Sequence, residues 1–431
     1  MKPPFEASDT IIERLGEAKI PSPLNISHEI ISDRQIQFHP YLGMEEVGAQ
    51  TGFEISRREE KIYFDPTKVT AGLVTCGGLC PGLNNVIRSI VLGLHHSYGV
   101  RSIFGIKYGL QGFISDYGHP LINLTPDTVQ DIHEQGGTLL GSSRGPQSIE
   151  KIVDTIERQN MNMLFIIGGD GTLRAAEKIK KEISVRGLKI AVVGIPKTID
   201  NDIFCVSKSF GFDTAVDTAT QAIQCSHTEA ISYPNGIGIV KLMGRYSGFI
   251  AATAALAQRD VNFVLIPESD FDLEGKHGFL ESLKSRLNSR SHAVIVVAEG
   301  AGQRYFNKSK KKSDKSGNVK LMDIGLYLKE RIIDFFEKQK IDINLKYIDP
   351  SYIIRSVPAN TNDGLFCAVL GQNAVHAAMA GKTGMVVSIW HGVYCHVPIS
   401  LAISQRKMLH PSSRLWRNVI ESTGQPSFKP D

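Results

Sequence analysis

Met163-Leu164-Phe165-Ile166-Ile167-Gly168-Gly169-Asp170-Gly171-Thr172 is an apolar run that stops at three glycines set around one aspartate. A helical pattern begins at Leu173. The stretch therefore reads as a strand, a tight turn and a helix. Other apolar runs repeat the first half of this unit: Ala71 to Val74, Ile190 to Ile195, Ile237 to Leu242, Phe263 to Ile266, Ala293 to Ala298 and Met385 to Trp390. Each is short, rich in Val and Ile, and apolar on both alternating faces, as a parallel strand covered by helices should be. Between them, Val86, Ile87, Ile90, Val91 and Leu94 put a single apolar stripe on a helix. Strands alternating with helices predict doubly wound, Rossmann-like α/β domains with mainly parallel sheets. Such sheets bind ligands at the carboxyl ends of their strands, so the residues just after each run carry the chemistry.

The chain has 431 residues, which at about 150 residues per domain suggests two or three domains. With 42% hydrophobic and 21% charged residues it is ordinary globular material. Lys plus Arg exceed Asp plus Glu by only 48 − 44 = 4, and the one dense basic run, Lys308 to Lys315, is interrupted by Ser309, Ser313 and Asp314. That is a solvated loop rather than a nucleic-acid surface. No apolar stretch approaches the ~18 residues of a membrane span. The N-terminus, with Pro3, Pro4 and the acids Glu6, Asp9, Glu13 and Glu17, lacks the pattern of a signal or transit peptide, and the final residues, Ser427 to Asp431, are no peroxisomal address. Cys76, Cys80, Cys205, Cys225, Cys367 and Cys395 show no repeated spacing, which suits a reducing cytoplasm. Neither Cys76 with Cys80 nor His391, Cys395 and His396 has the second ligand pair that a zinc site needs.

Four stretches at strand ends stand out. Thr75-Cys76-Gly77-Gly78-Leu79-Cys80-Pro81-Gly82 leads into a helix, so its backbone can approach an anion at a helix N-terminus. Gly168-Gly169-Asp170-Gly171-Thr172 adds a carboxylate suited to Mg²⁺ beside a polyphosphate. An aspartate N-cap in a glycine turn has the same letters. Pro196-Lys197-Thr198-Ile199-Asp200-Asn201-Asp202 brings an ammonium, a hydroxyl and two carboxylates to one strand end, a composition that suits a general base and that a plain loop shares. Lys241-Leu242-Met243-Gly244-Arg245-Tyr246-Ser247-Gly248 places an arginine fork directly after a buried strand, where it can clamp phosphate.

In order and sequence these stretches resemble the phosphofructokinase family over roughly residues 68 to 405, and PKTIDND followed by MGRYSG is highly specific to it. Gly141-Ser142-Ser143-Arg144-Gly145, Ala298-Glu299-Gly300 and Asp349-Pro350-Ser351-Tyr352-Ile353-Ile354-Arg355 extend the resemblance. The long N-terminal extension and DPSYIIRS look like the branch that contains plant and trypanosomatid ATP-dependent enzymes and pyrophosphate-dependent ones. The resemblance implies phosphoryl transfer to the 1-hydroxyl of fructose 6-phosphate. Asp200 would be the base, with Thr198, Lys197 and Arg144 beside the moving group, and Asp170 would hold Mg²⁺. Gly77, Arg144, Gly145, Gly168, Gly169, Asp170, Gly171 and Thr172 would surround the nucleotide. Thr198, Ile199, Asp200, Met243, Gly244, Arg245, Glu299, Tyr352 and Arg355 would bind the sugar phosphate. A catalyst of this kind works by positioning and charge, which calls for cations, a metal and one base.

Departures from the family's pattern bear on specificity. Tyr233-Pro234-Asn235-Gly236 replaces an arginine that in short bacterial members crosses to a neighbouring subunit, and Lys346 stands at another basic position. Glu268 falls where short members use an acid for an effector, although a surface acid would look the same. Pyrophosphate-using members carry Asp at the Gly171 position and Lys at the Lys197 position; this mixed pattern looks like the ATP-using plant and trypanosomatid branch. The expectation is thus a cytoplasmic, allosteric kinase, a dimer or tetramer, using ATP as co-substrate with Mg²⁺. A pyrophosphate-dependent enzyme or a non-catalytic nucleotide sensor on the same fold is the alternative. Its organisation would be an extension over 1–67, a nucleotide domain over 68–211 and 352–405, a sugar-phosphate domain over 212–351 and a C-terminal segment over 406–431.

Overall fold

The computed structural model describes residues 5–24, 34–39, 51–306 and 320–428. The basic run Lys308 to Lys315 lies outside them. The chain divides into two compact units. One comprises Met1–Thr198, Ile203–Gly211 and Ser356–Arg406, the other Ile199–Asp202, Phe212–Arg355 and Lys407–Asp431.

In the first unit the predicted strands form the middle of a sheet. Its order among the described residues is Gln35–Gln37, Gly52–Ile55, Val393–Pro398, Met385–Trp390, Ala191–Pro196, Met163–Gly168, Thr70–Thr75, Ser102–Ile106 and Ile122–Asn123. The strands from Met385–Trp390 to Ser102–Ile106 are parallel, and antiparallel strands are added at both edges. Leu164 and Ile166 face a core shared with Ile152, Val153 and Ile156 of one helix and Leu173, Ala176 and Ile179 of another. Met163, Phe165 and Ile167 are equally buried, so both faces of the central strand are covered, which is why its sequence is continuously apolar.

The described part of the extension over 1–67 joins this body by strand pairing. Gly52–Ile55 pairs antiparallel with Val393–Pro398 and in turn accepts Gln35–Gln37, so the extension widens the sheet. Earlier in the extension, Glu13–Arg14 pairs antiparallel with Lys382–Thr383. A buried ion cluster anchors the attachment: the Lys382 ammonium, fully enclosed, lies 2.6 Å from Glu54 and 2.9 Å from Glu59. Removing one partner of such a cluster leaves an uncompensated charge, which typically costs ~3–5 kcal/mol.

The second unit carries a four-stranded parallel sheet in the order Phe263–Leu265, His292–Ala298, Gly236–Leu242, Asn344–Ile348. Of the C-terminal segment expected over 406–431, Lys407–Asp431 falls in this unit and Arg406 in the first. The Gln425 side chain exchanges hydrogen bonds with both backbone groups of Val264 (2.6 and 3.2 Å), and Phe428 packs on Phe263 and Phe279. The tail thereby occupies the edge of the strand Phe263–Leu265, satisfying groups that an open edge would leave unpaired.

Candidate active site

In the first unit, three strand-end segments and the GSSRG loop are sewn together by short bonds. Thr75 Oγ1 donates to the Gly141 carbonyl (2.7 Å), Ser142 Oγ donates to the Gly77 carbonyl (2.6 Å), and the Gly77 N–H donates to the Ser143 carbonyl (3.3 Å). These bonds fix GSSRG against the glycine loop and leave Arg144 exposed at its end. Lys197 is buried, and its ammonium donates to the Gly78 carbonyl at 2.7 Å. Its backbone N–H donates to the Gly168 carbonyl (3.0 Å), joining the PKT segment to GGDG.

Within GGDG the glycines have different reasons. A Cβ on Gly168 would lie 2.4 Å from Thr172, so close packing requires its absence. A Cβ on Gly171 would meet no protein atom within 4 Å. Nothing in the fold therefore demands glycine there, and the open space faces solvent. Asp170 begins the helix Asp170–Val185, and its Oδ2 is 3.1 Å from Arg174 Nε and 3.6 Å from Arg406. Gly77, Gly145, Arg144, Gly169, Thr172, Lys197 and Thr198 thus belong to one unit and line its strand ends.

The chain passes from the first unit into the second between Thr198 and Ile199. There the Asp200 carboxylate accepts the Arg245 N–H (3.4 Å), and the Asp200 carbonyl accepts Ser247 Oγ (2.9 Å). Burial, then the neighbouring Asp202 and Glu299 carboxylates, push Asp200 up to about 7, against the pull of Arg245. Glu299 is raised in the same direction by burial, opposed by Arg245 and Lys241. The AEG turn lies against MGR: Glu299 N–H donates to the Leu242 carbonyl (2.9 Å) and Gly300 N–H to the Gly244 carbonyl (3.1 Å). A Cβ on Gly300 would come within 2.0 Å of the Arg245 carbonyl, which explains that glycine. Met243 and Arg245 are half-buried, Ile199 and Gly244 buried. Tyr352 is exposed, with the Arg355 guanidinium 4.9 Å from its ring centroid, so it stacks on a cation rather than packing in a core.

Three roles were not evident in sequence. Lys241 bridges Asp323 (2.6 Å) and Asp349 (2.7 Å), tying the MGR strand to the start of DPSY. A charge inside an otherwise apolar strand was the available signal. Glu268 is not a bare surface acid: its Oε1 accepts the N–H groups of Gly248 (3.0 Å) and Leu409 (2.8 Å). Lys407, beyond the motifs, donates to Asn201 Oδ1 at 2.8 Å.

The Phosphofructokinase family model matches residues 70–378. The chain is 52% identical to the ATP-dependent 6-phosphofructokinase of Borreliella burgdorferi, across 98% of this chain and 98% of that one. It is 50% identical to the Arabidopsis thaliana ATP-dependent 6-phosphofructokinase 4, chloroplastic, over 88% of this chain and 72% of the relative, in keeping with the plant-type resemblance. A solved pyrophosphate-dependent phosphofructokinase from Marinobacter aquaeolei superposes with TM-score 0.68 over 84% of this chain and 93% of that one; at 19% identity it speaks for the fold alone. With the motifs, the α/β architecture and a relative matched end to end all in agreement, the chain belongs to the phosphofructokinase family.

Proposed function

We infer that the chain phosphorylates the 1-hydroxyl of D-fructose 6-phosphate with ATP, giving fructose 1,6-bisphosphate and ADP, a step of glycolysis. The names of its relatives and the intact motifs support this reading. The observation that carries it is Asp200, a half-buried residue whose carboxyl is pushed up to about 7 and bonded to the Arg245 loop. A carboxylate of that basicity can accept a hydroxyl proton near neutral pH. The C1 oxygen attacks the γ-phosphorus and a new O–P bond forms. The bond from phosphorus to the β,γ-bridging oxygen breaks, its electrons leave with ADP, and the hydroxyl proton passes to Asp200. Arg245, Arg355, Glu299, Met243, Gly244 and Tyr352 hold the sugar phosphate in this proposal. Gly77, Arg144, Gly145, Gly168 to Thr172 and Lys197 hold the donor, with Thr198 beside the transferred group.

Mg²⁺ fits the donor side through Asp170. Among the described residues no group of three His, Cys, Asp or Glu side chains forms a metal cage. One hard carboxylate at a glycine turn is instead the protein share expected for an ion that arrives with phosphate oxygens. Arg174 and Arg406, 3.1 and 3.6 Å from its Oδ2, orient that carboxylate. Bound there, Mg²⁺ would neutralise charge on the donor phosphates. A cytoplasmic homo-oligomer is part of the same proposal, resting on the family resemblance. Among the described residues no helix is long and apolar enough to cross a membrane.

ATP is favoured over pyrophosphate because the relatives above are ATP-dependent and Gly171 leaves its position open. A coupled assay of the purified chain with fructose 6-phosphate, Mg²⁺ and either donor tests this. Fructose 1,6-bisphosphate should form with ATP; faster turnover with pyrophosphate would reverse the donor, and no turnover with either would leave a nucleotide sensor.

A further inference from the structure

The family match ends at residue 378, yet a later segment touches the loop that carries the proposed base. The Lys407 ammonium donates to Asn201 Oδ1 (2.8 Å), and the Lys407 N–H donates to the Asp202 carbonyl (2.9 Å). Asn201, buried and directly after Asp200, sits in the left-handed region at φ +53°, a conformation that Asn tolerates better than most side chains. The Lys407 ammonium also lies 5.1 Å from the ring centroid of Phe249, the first residue of the helix Phe249–Gln258. Two residues further on, the Leu409 N–H shares Glu268 Oε1 with Gly248, the cap of that same helix and the end of MGRYSG. One short segment thus grips both the base loop and the arginine loop of the second unit.

We propose that residues 407–409 are a strap in which Lys407 is a positioning residue for Asp200, holding Asn201 in its left-handed turn and setting a positive charge against Asp202. The proposal rests on Asp200 being the base. It is more than a packing role because of the charges that converge there. Asp200 faces Asp202 from its own loop, Glu299 from the turn after His292–Ala298 and Arg245 from the loop after Gly236–Leu242. Glu299 in turn faces Lys241, Asp349 and Arg355. Lys407 faces Asp202, and burial, partly offset by Asp202, pushes it down to about 7, so it carries its charge along the acid limb and loses it above. With a cation there, a second carboxylate beside the base is partly compensated; without it, ionising Asp200 next to Asp202 becomes harder.

The test is the pH dependence of kcat/KM for fructose 6-phosphate in the full chain, comparing wild type with Lys407→Met, Lys407→Gln and Lys407→Arg. Loss of the charge in Lys407→Met should move the acid limb up by roughly one pH unit. That is about a tenfold loss below the limb and recovery towards wild type at high pH. Lys407→Gln, which keeps a donor for Asn201, should show the same shift if the methionine variant does not fold, and Lys407→Arg should stay near the wild-type limb. An unmoved limb in both neutral variants, or an equal loss at every pH, overturns the strap as a positioning device. Asp200→Asn run in parallel separates the two claims: if it retains turnover, the base assignment fails and the strap's role with it, whereas an inactive Asp200→Asn with unmoved Lys407 limbs sinks the strap alone.

Discussion

The backbone N–H of Arg245 donates to the carboxylate of Asp200 at 3.4 Å, so the arginine proposed to grip the sugar phosphate and the acid proposed to deprotonate the sugar are joined by one bond. Because its donor is a main-chain N–H, that bond survives replacement of the Arg245 side chain. It also opposes, without cancelling, the burial and the two acidic neighbours that hold Asp200 at about 7. A base must be ionised to act. Activity should therefore be lost as pH falls through about 7, and kcat/KM for fructose 6-phosphate, which reports the free enzyme, should drop about tenfold per unit below it. A profile measured from pH 5 to 9 that stays flat to its acid end contradicts the assignment.

The same shift has a consequence for stability. Between about pH 4 and 7 the native Asp200 keeps a proton that the unfolded chain, with an ordinary carboxyl near 3.9, has released. The folded state then binds more protons, so raising the pH through this window weakens it. Asp200→Asn removes that loss. The variant should lie close to wild type at pH 4 and exceed it at pH 8 by up to about 4 kcal/mol. Denaturant titrations of the two proteins at both pH values measure this, and a difference independent of pH contradicts it.

Arg245→Ala and Arg355→Ala should each weaken fructose 6-phosphate binding by about 1.5–3 kcal/mol, the worth of a charged hydrogen bond. KM for the sugar phosphate would rise roughly 10- to 150-fold while KM for ATP changes little. The alanine at 245 still supplies the backbone N–H to Asp200, so kcat should largely persist. Steady-state kinetics with each substrate varied in turn decide the matter: equal weakening of both substrates means a structural defect.

Much of this was legible in the chain because it is written in residue types with few other uses. Glycines and acids at the ends of Val- and Ile-rich runs mark a ligand-binding sheet edge, and every run singled out in the sequence is a strand. Strands without that signature were missed. Asn344–Ile348 is an edge strand with Lys346 exposed, Val393–Pro398 is antiparallel and contains His396, and Gly52–Ile55 depends on a partner more than 300 residues away. Lys241 and Lys407 were missed for a related reason. Their roles are set by Asp349, Asp323 and Asn201, partners that the fold brings near and that no local spacing announces.

Gly171 offers a test of the donor that the fold itself does not confound. Since a Cβ there meets no protein atom within 4 Å, Gly171→Asp should fold and melt like wild type. If the ATP α-phosphate passes this position, two like charges ~4 Å apart repel by about 4 kcal/mol at an effective dielectric near 20. That corresponds to a loss of up to about three orders of magnitude in kcat/KM for ATP. Pyrophosphate has no α-phosphate or nucleoside to meet the new side chain, and Lys197 already faces the Gly78 carbonyl on the donor side. Its use should be spared or improved. Unchanged use of ATP would place Gly171 away from the donor.

The most direct measurement of the account is turnover of Asp200→Asn with saturating Mg-ATP and fructose 6-phosphate at pH 8, together with the affinity of the variant for the sugar. The amide preserves the shape and the Arg245 N–H contact but cannot take a proton from the hydroxyl. General-base catalysis is worth ~10²–10⁴ in rate, so kcat should fall by that factor while fructose 6-phosphate binds as before. A kcat within a few-fold of wild type would contradict the central claim, because phosphoryl transfer would then proceed without the base to which this site has been assigned.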